Sequence, residues 1–290
     1  TLSLDSGLAF ERDAKEMKWF FGREMLVTVE PRAFYVYTPF QSQAQTPLFD
    51  TADAGFGVTQ IFSENTFVGS DRVADSNKLT TGLTSRILEA NTGAERATVT
   101  LAQRQDFAGQ RVGLNGTIAN PTRYSDTLGA STIRLMGNFN VDLFGQYNSE
   151  LNRFVQSSIG AGWRPTPGRN LNFAYRNVWN PPAAGSNSGV TTTDQYNAFG
   201  EWPVFKKYRV LGRWGYDALA LKTLNGLVGL QYDEDCWTIR LAYSEARNTS
   251  QITTHQTIFQ LEFRGFGSVG KDPIDLMQLN VPGYQPVVKP

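Results

Sequence analysis

Apolar and polar residues alternate with period two along most of this chain. In "TIFQLEFRG", Thr257, Phe259, Leu261 and Phe263 alternate with Ile258, Gln260, Glu262 and Arg264. Successive side chains of a strand point to opposite faces, so this ribbon has one oily side and one largely polar side. In "CWTIRLAYSE", Trp237, Ile239, Leu241 and Tyr243 oppose Thr238, Arg240, Ala242 and Ser244. In "KLTTGLTSRIL", Leu79, Leu83 and Ile87 oppose Lys78, Thr80 and Arg86. About thirteen such segments are predicted, at 2–11, 20–37, 77–88, 95–107, 129–139, 141–148, 152–163, 170–179, 193–202, 206–216, 220–232, 236–246 and 255–265. Most run near the roughly 9–11 residues that a tilted strand needs to cross hydrocarbon. Pro31 predicts a bulge or kink in the second, since proline cannot donate to a central ladder. "DAKEMKWFFG" reads as a turn between strands.

The three longest connections, 38–76, 108–128 and 180–192, fall at alternate places, so all leave the same end of the strands. Outer-membrane barrels have that asymmetry, with short turns at one end and long loops at the other. Trp163, Trp179, Trp202, Trp214 and Trp237 sit at or near strand ends, where interfacial aromatic girdles belong. The competing reading is a soluble β protein with an aromatic core. The predicted fold class is all-β, an antiparallel transmembrane β-barrel.

Composition sharpens this. The 290 residues carry 27 basic and 27 acidic side chains. A nucleic-acid binder needs a cationic surplus to release counterions, so that class is excluded. No stretch approaches the roughly 18 consecutive apolar residues of a membrane helix, which barrel strands do not need. His255 is the only histidine and Cys236 the only cysteine. Neither a zinc site nor a catalytic triad is expected from them, and "GSDRVADSN" lacks the spacing of a calcium loop. No cofactor, no metal and no enzymatic activity is expected. The connection 38–76 is too long for a plain linker and holds Phe49, Phe56, Ile61, Phe62 and Phe67. It is expected to fold inward, anchored by charge-assisted hydrogen bonds of Asp71, Arg72, Asp75 and Asn77.

Five stretches, "SLDSGLAFERDA", "EPRAFYVYTPF", "PLFDTADAGFGVTQIFSENTFVGSDRVADSNKLTTGLTSRIL", "RVLGRWGYD" and "LVGLQYDEDCWTIRLAY", together resemble the C-terminal half of the LptD family of lipopolysaccharide-assembly proteins. The resemblance runs over nearly the whole chain. It implies a twenty-six-stranded barrel, of which about thirteen strands lie here. Residues 1–265 would then be the C-terminal half of the barrel wall and 266–290 an irregular periplasmic tail. An N-terminal jelly-roll domain and the first half of the barrel would lie outside this chain.

The resemblance also implies the function and partners. The barrel, plugged by the lipoprotein LptE, accepts lipopolysaccharide from the periplasmic bridge protein LptA through the N-terminal domain. It releases the lipid into the outer leaflet of a Gram-negative outer membrane through a seam at the last strand, Thr257, Ile258, Phe259, Gln260, Leu261, Glu262, Phe263 and Arg264. Cysteines at the turn before "WTIRLAY" pair in this family with cysteines of the N-terminal domain. Cys236 is the expected partner here, with Asp235 where a second cysteine often stands. The alternatives are a porin-like channel, or a lipid hydrolase using His255 with a serine.

Overall fold

The computed structural model describes residues 1–43, 45–54, 57–114, 125–135, 138–180, 191–247, 252–263 and 265–270. It divides into two compact units, Thr1–Ile133 with Leu143–Gln156, and Arg134–Asp142 with Ser157–Pro290. The fold is all-β. Apart from a two-stranded ribbon, the strands form one 15-stranded sheet whose order follows the chain. No helix among the described residues is long and apolar enough to cross a membrane.

The first unit opens with β1 (Leu2–Gly7) and β2 (Phe10–Ala14), a single-turn α1 (Lys18–Phe21) and β3 (Met25–Thr38). A long connection carrying the small ribbon of β4 (Ala52–Asp53) and β5 (Phe67–Val68) leads to β6 (Ser76–Glu89) and β7 (Glu95–Asp106). β8 (Thr127–Leu135), β9 (Phe139–Asn148) and β10 (Arg153–Trp163) are divided between the units. β3 pairs with β6, β6 with β7 and β7 with β8, all antiparallel. The two long connections, after β3 and after β7, therefore leave the same end.

The first two predicted segments differ in detail. Segment 2–11 is two strands that share one edge of β3: β1 pairs with Arg32–Tyr37 and β2 with Met25–Val29. Pro31 makes no bulge, because β3 and β6 stay in unbroken register past it. Its carbonyl accepts the Leu8 N–H at 3.1 Å. A strand residue presents its carbonyl and N–H to the same edge, so the absent proline N–H faces the gap where β1 gives way to β2. The stretch expected to begin a strand at residue 20 is instead α1, stopped at Gly22 by a left-handed φ of 71°.

The second unit is a meander of β11 (Asn170–Asn180), β12 (Thr191–Phe205), β13 (Tyr208–Asp217), β14 (Lys222–Asp233), β15 (Trp237–Arg247), β16 (Thr253–Phe263) and β17 (Gly267–Gly270). Neighbours pair antiparallel throughout. β17 lies in what the sequence suggests is irregular tail. Residues 271–290 and Arg264 fall outside the described residues.

The register aligns one apolar face across this unit. Trp214, Val228, Leu230, Leu241, Tyr243, Phe259 and Phe263 all belong to it, and all are exposed. On β15, Tyr243 is 45% exposed whereas Arg240, on the opposite face, is 3% exposed. A water-soluble sheet has the reverse order. Covering that face with hydrocarbon is worth on the order of 1 kcal/mol per half-exposed large side chain.

Candidate functional site

The face opposite the apolar one carries the chemistry. In the second unit, Arg240 stands opposite Gln260 and close to Glu262. Its Nη1 donates to Gln260 Oε1 at 2.7 Å and to Glu262 Oε2 at 2.5 Å. Gln231, paired with Arg240 in register, donates from Nε2 to both Asp233 oxygens at 2.9 and 2.8 Å. Thr238 Oγ1 donates to Asp233 Oδ1 at 3.0 Å. Donors and acceptors alternate across three strands, which keeps buried charge compensated. This face is not uniformly polar. Leu211, Leu227 and Ala242 form a buried apolar patch on it, with Phe199 packed against them. Single leucines among glycines and polar residues gave no sign in the sequence of where they would converge.

β16, the last strand expected from the sequence, alternates as its sequence suggests. Thr257, Phe259 and Phe263 are exposed, whereas Ile258 and Gln260 are buried on the face shared with Glu262.

In the first unit the polar face lies beneath the connection 39–75, here called the strap. Ile61 is fully buried with Ala102 and Leu128, and Val58, Phe62 and Phe144 pack around them. Thr80 Oγ1 donates to the Ile61 carbonyl at 3.0 Å, and Arg104 Nη2 donates to the same oxygen at 2.7 Å. Phe62 lies directly over Gly82, where a Cβ would come within 2.6 Å of its ring. Arg32, opposite Gly82 in register, stacks over Phe62 at 4.5 Å and binds both carboxylate oxygens of Asp5. Thr80, Gly82, Arg104 and Arg32 thus join the strap to the sheet. The sequence reading missed all four in this role, because the bonds run to backbone carbonyls and to a ring.

The four expected anchors act elsewhere in the same region. Asp71 accepts the N–H groups of Phe49 and Asp50 at 2.8 and 2.9 Å. Those two bonds, Asp50's first, hold its carboxyl below the usual carboxylate range. Arg72 donates to the carbonyls of Gln43 and Thr46. Asp75 accepts the N–H groups of Arg111 and Val112, tying the strap to the connection after β7. Asn77 accepts the Tyr35 hydroxyl at 2.9 Å. Among the strap's large apolar residues, Ile61 and Phe67 are buried, Phe62 is half-buried, Phe49 is exposed and Phe56 falls outside the described residues.

Cys236 is exposed in the short turn between β14 and β15. Beside it, Lys207 Nζ donates to both Glu234 oxygens at 2.6 and 2.7 Å. The pair lowers the Glu234 carboxyl and raises the Lys207 ammonium. Aromatic rings line this end of the unit: Phe139 on Trp163, Trp163 beside Trp202, Tyr208 beside Tyr232, and Tyr232 beside Trp237, with centroids 4.6–5.5 Å apart. Trp214 with Tyr216, and Tyr243 with His255, form a second set toward the other end. His255 Nδ1 lies 2.9 Å from the Tyr243 hydroxyl, at the surface. No cluster of three or more His, Cys, Asp or Glu able to hold a metal occurs among the described residues.

A family model described as LPS transport system D, LptD, matches residues 1–214. Proteins named LPS-assembly protein LptD are similar over 99% of the chain. That of Cupriavidus pinatubonensis is 48% identical over 288 residues, that of Ralstonia nicotianae 47% over 290, and that of Paraburkholderia xenovorans 39% over 293. The chain spans about a third of these relatives' length, 35% of the first two and 36% of the third. A Rh. blastica porin mutant aligns with 92% of the chain at 10% identity, but its TM-score of 0.32 is too low to argue from.

Proposed function

The chain belongs to the LptD family, and on that premise we propose that it forms the C-terminal half of the wall of an outer-membrane β-barrel that delivers lipopolysaccharide to the outer leaflet of a Gram-negative bacterium. Family membership carries the assignment, and the inverted exposure of the second unit carries its physics. An exposed row of tyrosine, leucine and phenylalanine beside a buried arginine suits hydrocarbon outside and a polar lumen inside.

No covalent step is assigned. The acyl chains pass laterally into the bilayer, while the sugar and phosphate groups travel along the polar face. Arginine can offer two parallel N–H groups to a phosphate. The lateral exit is the edge of β16, over Thr257–Phe263. The strap covers part of the polar face of the first unit, joined to it through Thr80, Arg104 and Arg32, while Asp71 and Arg72 hold the strap's own fold and Asp75 ties it to the connection after β7. That cover favours a gated conduit over an open porin. LptE fills the lumen, and LptA delivers the lipid through the N-terminal domain outside this chain.

Cys236 forms a disulfide with a cysteine of that domain. Its exposure in a short turn, at the end away from the unit's long connection, supports the pairing. Depleting the full-length protein and restoring it as wild type or Cys236→Ser tests both statements. Surface lipopolysaccharide should fall on depletion and return with the wild type. Cys236 should be blocked to thiol reagents in the oxidised protein. Undiminished surface lipopolysaccharide on depletion sinks the transport reading, and a freely reactive Cys236 sinks the disulfide.

A further inference from the structure

β16 is held unequally along its two edges. Toward β15 it pairs over its full eleven residues, Trp237↔Phe263 to Arg247↔Thr253. Toward β17 the ladder has four pairs, Phe263↔Gly267 to Gln260↔Gly270. The remaining stretch of that edge, Thr253–Phe259, has no ladder partner among the described residues. Such an edge is a row of free N–H and C=O groups that recruits another strand.

β17 is shaped by glycine. Gly265, Gly267 and Gly270 have φ of 84°, 137° and 99°, values that side-chain-bearing residues rarely adopt. The Phe266 N–H donates to the Phe263 carbonyl at 3.1 Å and closes the turn. A Cβ at Gly270 would lie 2.3 Å from the Phe259 carbonyl oxygen, so this short strand reaches the edge because position 270 is glycine. All four β17 residues are exposed, and a ribbon so short has little beyond its ladder to hold it. Ordering its glycines costs more backbone entropy than ordering other residues.

We propose that β17 is a displaceable cap on the edge of β16. It occupies Gln260–Phe263, while an extended strand from the part of the protein outside this chain pairs with Thr253–Phe259 and completes the ladder only by displacing β17. The chain covers 35% of its relatives' length, so the strand for this edge has ample sequence to come from. The exchange trades ladder pairs for ladder pairs, which makes it nearly balanced and reversible. The role of this exchange in lipid release rests on the proposed function; the existence of the cap does not.

The test uses the full-length protein in outer-membrane vesicles. Leu261 and Val269 stand opposite each other in register. The double variant Leu261→Cys/Val269→Cys is treated with a short, reducible bis-thiol reagent, with Leu261→Cys alone as control for Cys236. Cross-linking should far exceed the control and should fall several-fold when Gly270→Val is added. Lipopolysaccharide delivery should drop in the cross-linked protein and recover on reduction. Yield no higher than the control, or yield indifferent to Gly270→Val, overturns the cap. Delivery unchanged by the cross-link overturns its displaceability. If unmodified protein fails to deliver lipopolysaccharide, the transport reading falls, and the cross-linking yields still decide the cap.

Discussion

The polar face beneath the strap and the polar face of β14–β16 meet the same problem differently. Both bury arginine on a sheet whose other side is apolar. In the first unit Arg104 is compensated by backbone carbonyls of a distant loop, with Gly82 left bare so that Phe62 can settle against the strand. In the second unit Arg240 is compensated by Gln260 and Glu262 on the neighbouring strand. The first solution fixes a loop across the face. The second stays within the sheet and leaves Glu262 partly accessible. One region is covered by a loop, and the other satisfies its buried arginine within the sheet alone.

The largest effect that would break this comparison lies under the strap. Ile61→Asp puts a carboxylate into a fully buried apolar cluster and should destabilise the first unit by about 3–5 kcal/mol, the range for an uncompensated buried charge. Less folded, heat-modifiable protein should be recovered. Wild-type recovery would mean that the strap does not lie on the sheet. Arg240→Ala should cost less, about 1–3 kcal/mol, because it strands one amide and one half-accessible carboxylate. Adding Glu262→Gln should recover part of that loss, and a double variant no better than the single would argue against the pair. Denaturant midpoints of the two variants decide this.

The smallest effect concerns Lys207 and Glu234. Glu234 has a lowered carboxyl pKa, so its contribution is present above the usual 4.5 and is lost as pH falls through the depressed value. Lys207 has a raised pKa, so its contribution is present below the usual 10.5 and is lost as pH rises through the raised value. The gap between wild type and Glu234→Gln should therefore be flat between these limits and vanish in acid. It should be small throughout and shrink with salt, since the pair is exposed. Thermal midpoints across pH check it, and a gap that widens in acid would contradict the assignment.

Strands and faces were legible because a half-buried ribbon must alternate, and "CWTIRLAYSE" and "TIFQLEFRG" do so with large residues. The anchors Asp71 and Asp75 were legible as charged groups in a long loop, but their partners were not. Backbone N–H groups are present at nearly every residue and leave no mark in a sequence. Gly82 read as an ordinary strand residue in "KLTTGLTSRIL", since only the folded strap shows what must fit against it. β17 was hidden because "GFGSVG" has neither alternation nor β-branched bulk beyond one valine, and its pairing depends on left-handed glycines. The family resemblance supplied the partners and the seam, which no period-two pattern contains.

Adjacent residues on β15 test the central claim most directly. Single nitroxide labels at Tyr243, on the exposed apolar face, and Ser244, partly accessible on the opposite face, in the full-length protein reconstituted in a bilayer report collisions with oxygen and with a water-soluble nickel complex. The label at Tyr243 should collide mainly with oxygen, which concentrates in hydrocarbon, and the label at Ser244 should not share that preference. Equal nickel accessibility at both positions, or oxygen preference at Ser244 rather than Tyr243, would contradict the inside-out sheet.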